Sequence, residues 1–148
     1  MKSMSKILVA VIAIAFVAVS CGKYEEGPKI SLASKEGRII NVWSLDAQFE
    51  NGVEQTLTAE DKDDYIEFMK DGKAVISWVY GGSTTDIDAT WELSDDKEQL
   101  IMYMTYEMLG TTYTDTTEST ILRLKSNEMW LEQVDGSDKS EFHYITKE

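Results

Sequence analysis

The sequence predicts an all-β domain that folds as an antiparallel, eight-stranded, up-and-down barrel. Short runs rich in Val, Ile, Thr, Tyr and Trp alternate at period two, which is typical of half-buried strands. Turn-forming pairs such as Asn51-Gly52 and Asp71-Gly72 separate the runs, and no long helical pattern interrupts them. The predicted strands cover about residues 39–49, 63–70, 73–80, 85–93, 98–108, 112–124, 127–134 and 140–147.

Two predicted strands have one apolar and one polar face, as expected of strands that cover a core on one side and meet water on the other. In the first, the apolar face comprises Trp43, Leu45, Ala47 and Phe49, opposite Ser44, Asp46, Gln48 and Glu50. In the fourth, it comprises Ile87, Ala89, Trp91 and Leu93, opposite Asp86, Asp88, Thr90 and Glu92.

The alternation by itself fits either a closed barrel or a two-sheet sandwich. The connections favour the barrel, because nearly every predicted link is a tight turn between neighbouring strands, whereas immunoglobulin-type sandwiches need long crossings. The remaining turn signals lie at Gly81-Gly82, Asp95-Asp96, Gly110, Ser126-Asn127 and Asp135-Gly136.

The first 20 residues form a predicted secretory signal peptide. Lys2 and Lys6 precede an unbroken apolar run of thirteen residues, 7–19, which ends at Ser20 and Cys21. A retained anchor helix is the alternative, but a membrane span needs about 20 apolar residues, so this run is too short.

The only cysteine ends the segment Ala18-Val19-Ser20-Cys21, directly after the apolar run. This segment resembles the lipobox of bacterial lipoproteins, although Leu is usual at the position that Ala18 occupies. The resemblance implies cleavage before Cys21, a diacylglyceryl group on its thiol and an acylated, for example palmitoylated, amino terminus. Several acyl chains give a lasting membrane anchor. The alternative is a buried or free thiol.

The residues that follow Cys21 predict an outer-membrane location. Gly22 stands where some inner-membrane lipoproteins carry Asp, and Lys23 with Glu25 and Glu26 resembles export tags that send lipoproteins to the cell surface. A solvated tether on the periplasmic side is the alternative. Residues 21–37 are predicted to be this tether, with one helical turn at 31–36, and residues 38–148 to be the barrel domain.

The charge excludes several functions. With 14 Lys and Arg residues against 27 Asp and Glu, the chain has a formal net charge of −13, which argues against nucleic-acid binding.

One His and one Cys cannot make a dedicated transition-metal site. The acidic stretches at 60–64, 86–88 and 135–138 lack the ligand spacing of a calcium loop, so we expect no metal and no cofactor.

Four segments of the predicted domain form a recognisable set: Asn41-Val42-Trp43 with Leu45, Ile66-Glu67-Phe68 before Asp71-Gly72-Lys73, Thr90-Trp91-Glu92-Leu93-Ser94 before Leu100, and Ile121-Leu122-Arg123-Leu124 before Met129-Trp130-Leu131. Together they resemble the lipocalin-like lipoprotein domains of Gram-negative bacteria. Lipocalins carry Gly-x-Trp on the first strand and an arginine that packs over that Trp. Asn41 replaces the Gly here, and Arg123 is the nearest candidate for the arginine.

The resemblance implies a pocket for a small apolar ligand inside the barrel. Flexible Met and amphipathic aromatic side chains suit such a site. The alternative is that the same side chains simply fill the interior of an eight-stranded barrel. Trp43 is expected to plug one end, and the candidate lining is Trp78, Tyr80, Trp91, Met102, Met104 and Tyr106.

Residues 111–120 contain six threonines and predict a wet ribbon. With residues 98–108 they should form a long hairpin joined at Leu109-Gly110. A partner protein or glycan is a second possible ligand, bound on this ribbon or elsewhere on the barrel exterior. The alternative is an exposed hairpin that Asp115 and Glu118 protect from aggregation.

The sequence offers little to a catalytic mechanism. His143 is the only histidine, and the chain has no Gly-x-Ser-x-Gly nucleophile elbow. Pairs of carboxylates are unavoidable among 27 acidic residues, so they carry no signal for glycoside hydrolysis. We therefore expect a binding protein and not an enzyme.

Overall fold

The computed structural model describes residues 33–147. The predicted signal peptide, Cys21 and most of the predicted tether lie outside these residues. The helices are α1 (Lys35–Ile39) and α2 (Ala59–Asp63). The strands are β1 (Val42–Glu50), β2 (Val53–Glu54), β3 (Tyr65–Phe68), β4 (Lys73–Tyr80), β5 (Ser83–Leu93), β6 (Gln99–Met108), β7 (Thr111–Leu124), β8 (Glu128–Asp135) and β9 (Asp138–Thr146).

Eight strands form a closed antiparallel barrel, as the sequence predicted. β1 pairs with β3, each strand from β3 to β9 pairs with the next, and β9 returns to pair with β1. Each of the eight predicted strands occurs. The two-residue strand β2 only extends the end of β1 and is not part of the closed ring.

The core lies toward one end of the barrel, which we call the closed end because α1 covers it. Ile39 of α1 and Trp43 of β1 are fully buried there. The opposite end, where the β4–β5, β6–β7 and β8–β9 turns lie, is called the open end. The other buried apolar residues are Ile66, Phe68, Ala74, Ile76, Ile87, Ala89, Trp91, Leu100, Met102, Ile121, Leu124, Met129 and Leu131.

Helix α1 begins later than the helical turn predicted at residues 31–36. The Ser34 hydroxyl accepts a hydrogen bond from the Gly37 amide and caps its first turn. Burial of Ile39 then extends the helix toward the barrel. The Arg38 guanidinium donates to the Leu124 carbonyl at 3.1 Å, which attaches the helix to the end of β7.

Helix α2 was not predicted, because its five residues have no apolar face. A capping box stabilises it: the Thr58 hydroxyl accepts from the Asp61 amide, and the Asp61 carboxylate accepts from the Thr58 amide at 2.7 Å. The Asp64 carboxylate after the helix accepts from the Val79 amide of β4. Part of the acidic stretch at 60–64 therefore serves as caps.

The face pattern predicted for the first strand is wrong beyond Leu45, because a β-bulge lies there. The register of β1 against β9 shifts between Leu45 and Ala47, and an extra residue exchanges the two faces of a strand. Beyond the bulge, Gln48 pairs with Phe142 and Glu50 with Ser140, on the face that Tyr144 shares with the core. Gln48 and Glu50 therefore point inward, and Phe49 points outward.

The pattern predicted for the fourth strand is confirmed in β5. Ile87, Ala89 and Trp91 are buried, and the intervening Asp86, Asp88 and Thr90 are exposed. The long hairpin predicted around residues 109–110 is also present as β6 and β7. Its turn places both Leu109 and Gly110 at positive φ, 53° and 78°.

Candidate binding site

The six predicted lining residues all lie at inward-facing positions of three adjacent strands. Trp78 pairs with Thr85, Trp91 with Met102, and Ala89 with Met104, so these side chains share the face that holds the buried Ile87. The strands carry them to different depths, however. Two belong to the packed closed end and four lie toward the open end.

The two deep residues are part of the core. Trp91 and Met102 are 7% and 8% exposed. The Trp91 indole N–H donates to the Met69 carbonyl at 3.1 Å, and the ring meets Phe68 edge-on with centroids 5.5 Å apart. Close packing of this kind indicates that Trp91 and Met102 fill the barrel interior.

Trp43 lies at the bottom of the same packed region. Its indole N–H donates to the Ile39 carbonyl of α1 at 2.8 Å, which joins the first strand to the helix that covers the closed end. This buried hydrogen bond satisfies the polar atom of a fully buried ring.

The remaining four residues lie toward the open end and form what we call the apolar wall, with Tyr113 of β7. Met104 and Tyr106 are half-buried against the core, and the Tyr106 ring stacks on Tyr113 with centroids 5.6 Å apart. Trp78 is 50% exposed and Tyr80, at the rim, 85% exposed. Exposed aromatic and Met side chains at the end of a barrel suit adaptable contact with an apolar molecule.

Sequence reasoning missed a second, polar set of inward-facing residues, which we call the polar wall. The Gln48 amide donates to one oxygen of the Glu50 carboxylate at 2.9 Å, and the Ser140 hydroxyl donates to the other at 2.8 Å. Beside them, the Gln133 amide donates to the buried Ser119 hydroxyl at 3.1 Å. No sequence signal marks the bulge that turns Gln48 and Glu50 inward.

The sole histidine lies outside the barrel in a row of stacked side chains. The His143 ring stacks on Trp130 with centroids 4.0 Å apart and lies 4.9 Å from the Phe49 ring. The other end of the row is Arg123, whose guanidinium lies 4.5 Å from the centre of the Trp130 ring. Arg123 thus faces outward over Trp130, and the expectation that it packs over Trp43 is wrong. A second register shift, between Ile121 and Arg123, accompanies this outward position.

A cleft of about 510 Å³ also lies on the exterior of β4, β5 and β6. Its lining includes Val75, Asp88, Tyr103 and Thr105, which alternate with inward-facing residues. The Tyr103 hydroxyl donates to the Glu92 carboxylate at 2.7 Å, and this hydrogen bond raises the pKa of Tyr103. The cleft gives the barrel a concave surface on its exterior.

Within residues 33–147, no group of three or more His, Cys, Asp or Glu side chains is placed to hold a metal ion. In the same part of the chain, no helix is long and apolar enough to cross a membrane.

The barrel resembles a solved protein structure. Insecticyanin from the tobacco hornworm Manduca sexta, a lipocalin, superposes with a TM-score of 0.51 at 13% sequence identity, over 84% of this chain and 68% of that one. The chain has a lipocalin-like fold. No protein-family model matches the sequence, and no curated protein matches it. The likeness to a lipocalin therefore concerns the fold alone.

Proposed function

We propose that this chain is a lipid-anchored, lipocalin-like binding protein of the cell envelope that holds a small apolar ligand in the open half of its barrel. The observation that carries the proposal is the apolar wall. Met104 and Tyr106 face inward above a packed core, and the exposed Trp78 lies nearer the rim. Burial of a ligand against these side chains would remove apolar surface from water, at about 25 cal/mol for each Å².

A pair of substitutions tests where the ligand binds. The probe is N-phenyl-1-naphthylamine, a neutral apolar fluorophore that brightens when it leaves water. Met104→Lys puts a charge on the inward face, whereas Thr105→Lys puts the same charge on the outward face one residue later. We expect binding to be lost in Met104→Lys and kept in Thr105→Lys.

A second candidate function is binding of a partner protein or glycan on the barrel exterior. The observations that favour it are the cleft beside Tyr103 and the row of Phe49, His143 and Trp130. Thr105 lines this cleft. Loss of probe binding in Thr105→Lys with binding kept in Met104→Lys would favour the exterior and contradict the interior site.

The lipid anchor is supported by the lipobox-like residues that end at Cys21. The acidic chain would be repelled by anionic headgroups, so the lipid has to supply the membrane affinity. We expect Cys21→Ser to move the protein from the membrane fraction to the soluble fraction of cells, and retention of the variant in the membrane would contradict the anchor. Protease added to intact cells distinguishes the cell surface from the periplasmic side of the outer membrane, because only protein on the cell surface is digested.

A further inference from the structure

The polar wall faces the apolar wall across the barrel. In the ring of eight strands, β1 lies four strands from β6, and β8 lies four strands from β4. The inward-facing Gln48 and Glu50 of β1 are therefore opposite Met104 and Tyr106 of β6. A molecule in the open half would meet apolar side chains on one side and hydrogen-bonding groups on the other.

Glu50 provides the one charge of the polar wall. Both of its carboxylate oxygens accept hydrogen bonds from neutral groups, the Gln48 amide and the Ser140 hydroxyl. These two donors fix the position of the carboxylate, and within residues 33–147 no cation is paired with its negative charge. A carboxylate oxygen has two acceptor sites, so each oxygen retains capacity for a further donor.

The surroundings of Glu50 strengthen its preference for a cation. The side chain is half-buried, so an ion pair there is less screened than at the surface. Asp115 of β7 pairs with Met104 of β6, so it also lies at an inward-facing position near the open end. The formal net charge of −13 also attracts cations to the protein and repels anions.

We propose that the open half of the barrel selects cationic amphiphiles, with the apolar body against Met104, Tyr106 and Trp78 and an ammonium group on the Glu50 carboxylate. This inference rests on the proposed function, since it assigns the ligand's polar end within the same site. It adds that a fatty acid, whose carboxylate would meet Glu50, is a poor ligand, and that an alcohol of equal length is intermediate.

Three ligands of equal chain length test the inference: octylammonium, octanol and octanoate. Their affinities are measured by isothermal titration calorimetry at neutral pH and about 0.15 M salt, which screens distant charges. The protein begins at Gly22, because residues 33–147 contain the complete barrel and its core. We expect octylammonium to bind about tenfold more tightly than octanol, as one charged hydrogen bond in a half-exposed site allows, and octanoate to bind most weakly.

Glu50→Gln removes the charge and keeps the shape of the side chain and an acceptor for Gln48. The matched control is Glu107→Gln, which makes the same change at an exposed, outward-facing position near the open end. We expect Glu50→Gln to bind octylammonium about as weakly as octanol, with its octanol affinity unchanged, and Glu107→Gln to keep the preference. The melting temperature of each variant shows that it is folded.

The outcomes separate this inference from the function on which it rests. If octanol binds but the preference for octylammonium is absent, survives Glu50→Gln or disappears equally in Glu107→Gln, the cation site is wrong and apolar binding remains. Tighter binding of octanoate than of octylammonium would also overturn it. If none of the three ligands binds, both the cation site and the apolar pocket are wrong.

Discussion

At the scale of single residues, Trp43 links the first strand to the closed end of the barrel. Its ring is fully buried, and its indole N–H reaches the Ile39 carbonyl of α1. Loss of the indole would leave this buried carbonyl without its donor and would create a cavity, and both effects lower the free energy of unfolding. The residue thus joins packing and helix placement in one side chain.

We expect Trp43→Phe to lower the free energy of unfolding by about 2 kcal/mol, because it removes this hydrogen bond and leaves part of the indole volume empty. Urea unfolding followed by circular dichroism measures the loss. The control is Trp78→Phe at the half-exposed rim, where we expect a loss below about 0.5 kcal/mol. Equal losses in the two variants would contradict the structural role of Trp43.

The buried hydroxyl of Tyr144 makes the free energy of unfolding depend on pH in alkaline solution. Burial raises the pKa of its hydroxyl above the ordinary value. Above about pH 10 the unfolded chain therefore releases a proton that the folded chain keeps, so the free energy of unfolding falls as pH rises. Below about pH 10 the Tyr144 hydroxyl is protonated in both states, so its burial causes no loss in the free energy of unfolding there.

We expect Tyr144→Phe to reduce the slope of this alkaline loss, measured by urea unfolding at several pH values from about 9 to 11. Tyr80→Phe, at the largely exposed rim, is the control and should leave the slope as it is. An unchanged slope in Tyr144→Phe would show that the Tyr144 hydroxyl ionises as freely in the folded chain as in the unfolded one.

At the scale of elements, the hairpin of β6 and β7 has a turn that its sequence only half suits. Gly110 tolerates positive φ, but the side chain of Leu109 at φ 53° is sterically strained in the left-handed region. Leu109 is also completely exposed, so no packing contact of its side chain offsets this strain. The turn is therefore a place where one substitution should stabilise the barrel.

We expect Leu109→Asn to raise the free energy of unfolding by about 0.5–1 kcal/mol, because Asn-Gly is the preferred pair for a turn with two positive φ angles. Leu109→Ala is the matched control, since Ala keeps the strain and should give no gain. Thermal unfolding of both variants decides the point. A gain from Ala as large as that from Asn would attribute the effect to removal of an exposed leucine instead of to backbone conformation.

At the scale of the whole molecule, the pairing of β9 with β1 closes the ring. Seven residue pairs join these strands, from Trp43 with Thr146 to Glu50 with Ser140. Closure gives each of the eight strands a paired neighbour on both sides and surrounds the core. The last strand in the chain thus holds the first in place.

A chain that ends at Asp135 lacks β9 and leaves β1 and β8 as unpaired edges. We expect this truncated chain to lose the cooperative unfolding transition of the full barrel, because both the edge hydrogen bonds and the cover of Tyr144 over the core are absent. A chain that ends at Lys147 is the control and should melt as the full chain does. Cooperative melting of the truncated chain would show that the closed ring is dispensable.

The sequence by itself determined the eight strands, their order and the closed barrel. Period-two runs and short turns act locally, so they can be recognised without knowledge of the partners of each strand. The pattern of β5 was predictable for the same reason, and so was the hairpin around residues 109–110. The six candidate lining residues lie at inward-facing positions because alternation is strict wherever a strand has no bulge, and their role in binding a ligand stays a prediction.

Only the tertiary structure decided which residues face the open half of the barrel. The bulge after Leu45 turns Gln48 and Glu50 inward, and nothing in the sequence marks it, because a bulge depends on how two distant strands meet. The depth of each inward residue was equally hidden, since the same alternation places Trp91 in the core and Trp78 at the rim. Arg123 shows the same limit, because its partner Trp130 was fixed by strand pairing across the outer face. Local pattern sets the elements, whereas register between strands distant in the sequence sets the site.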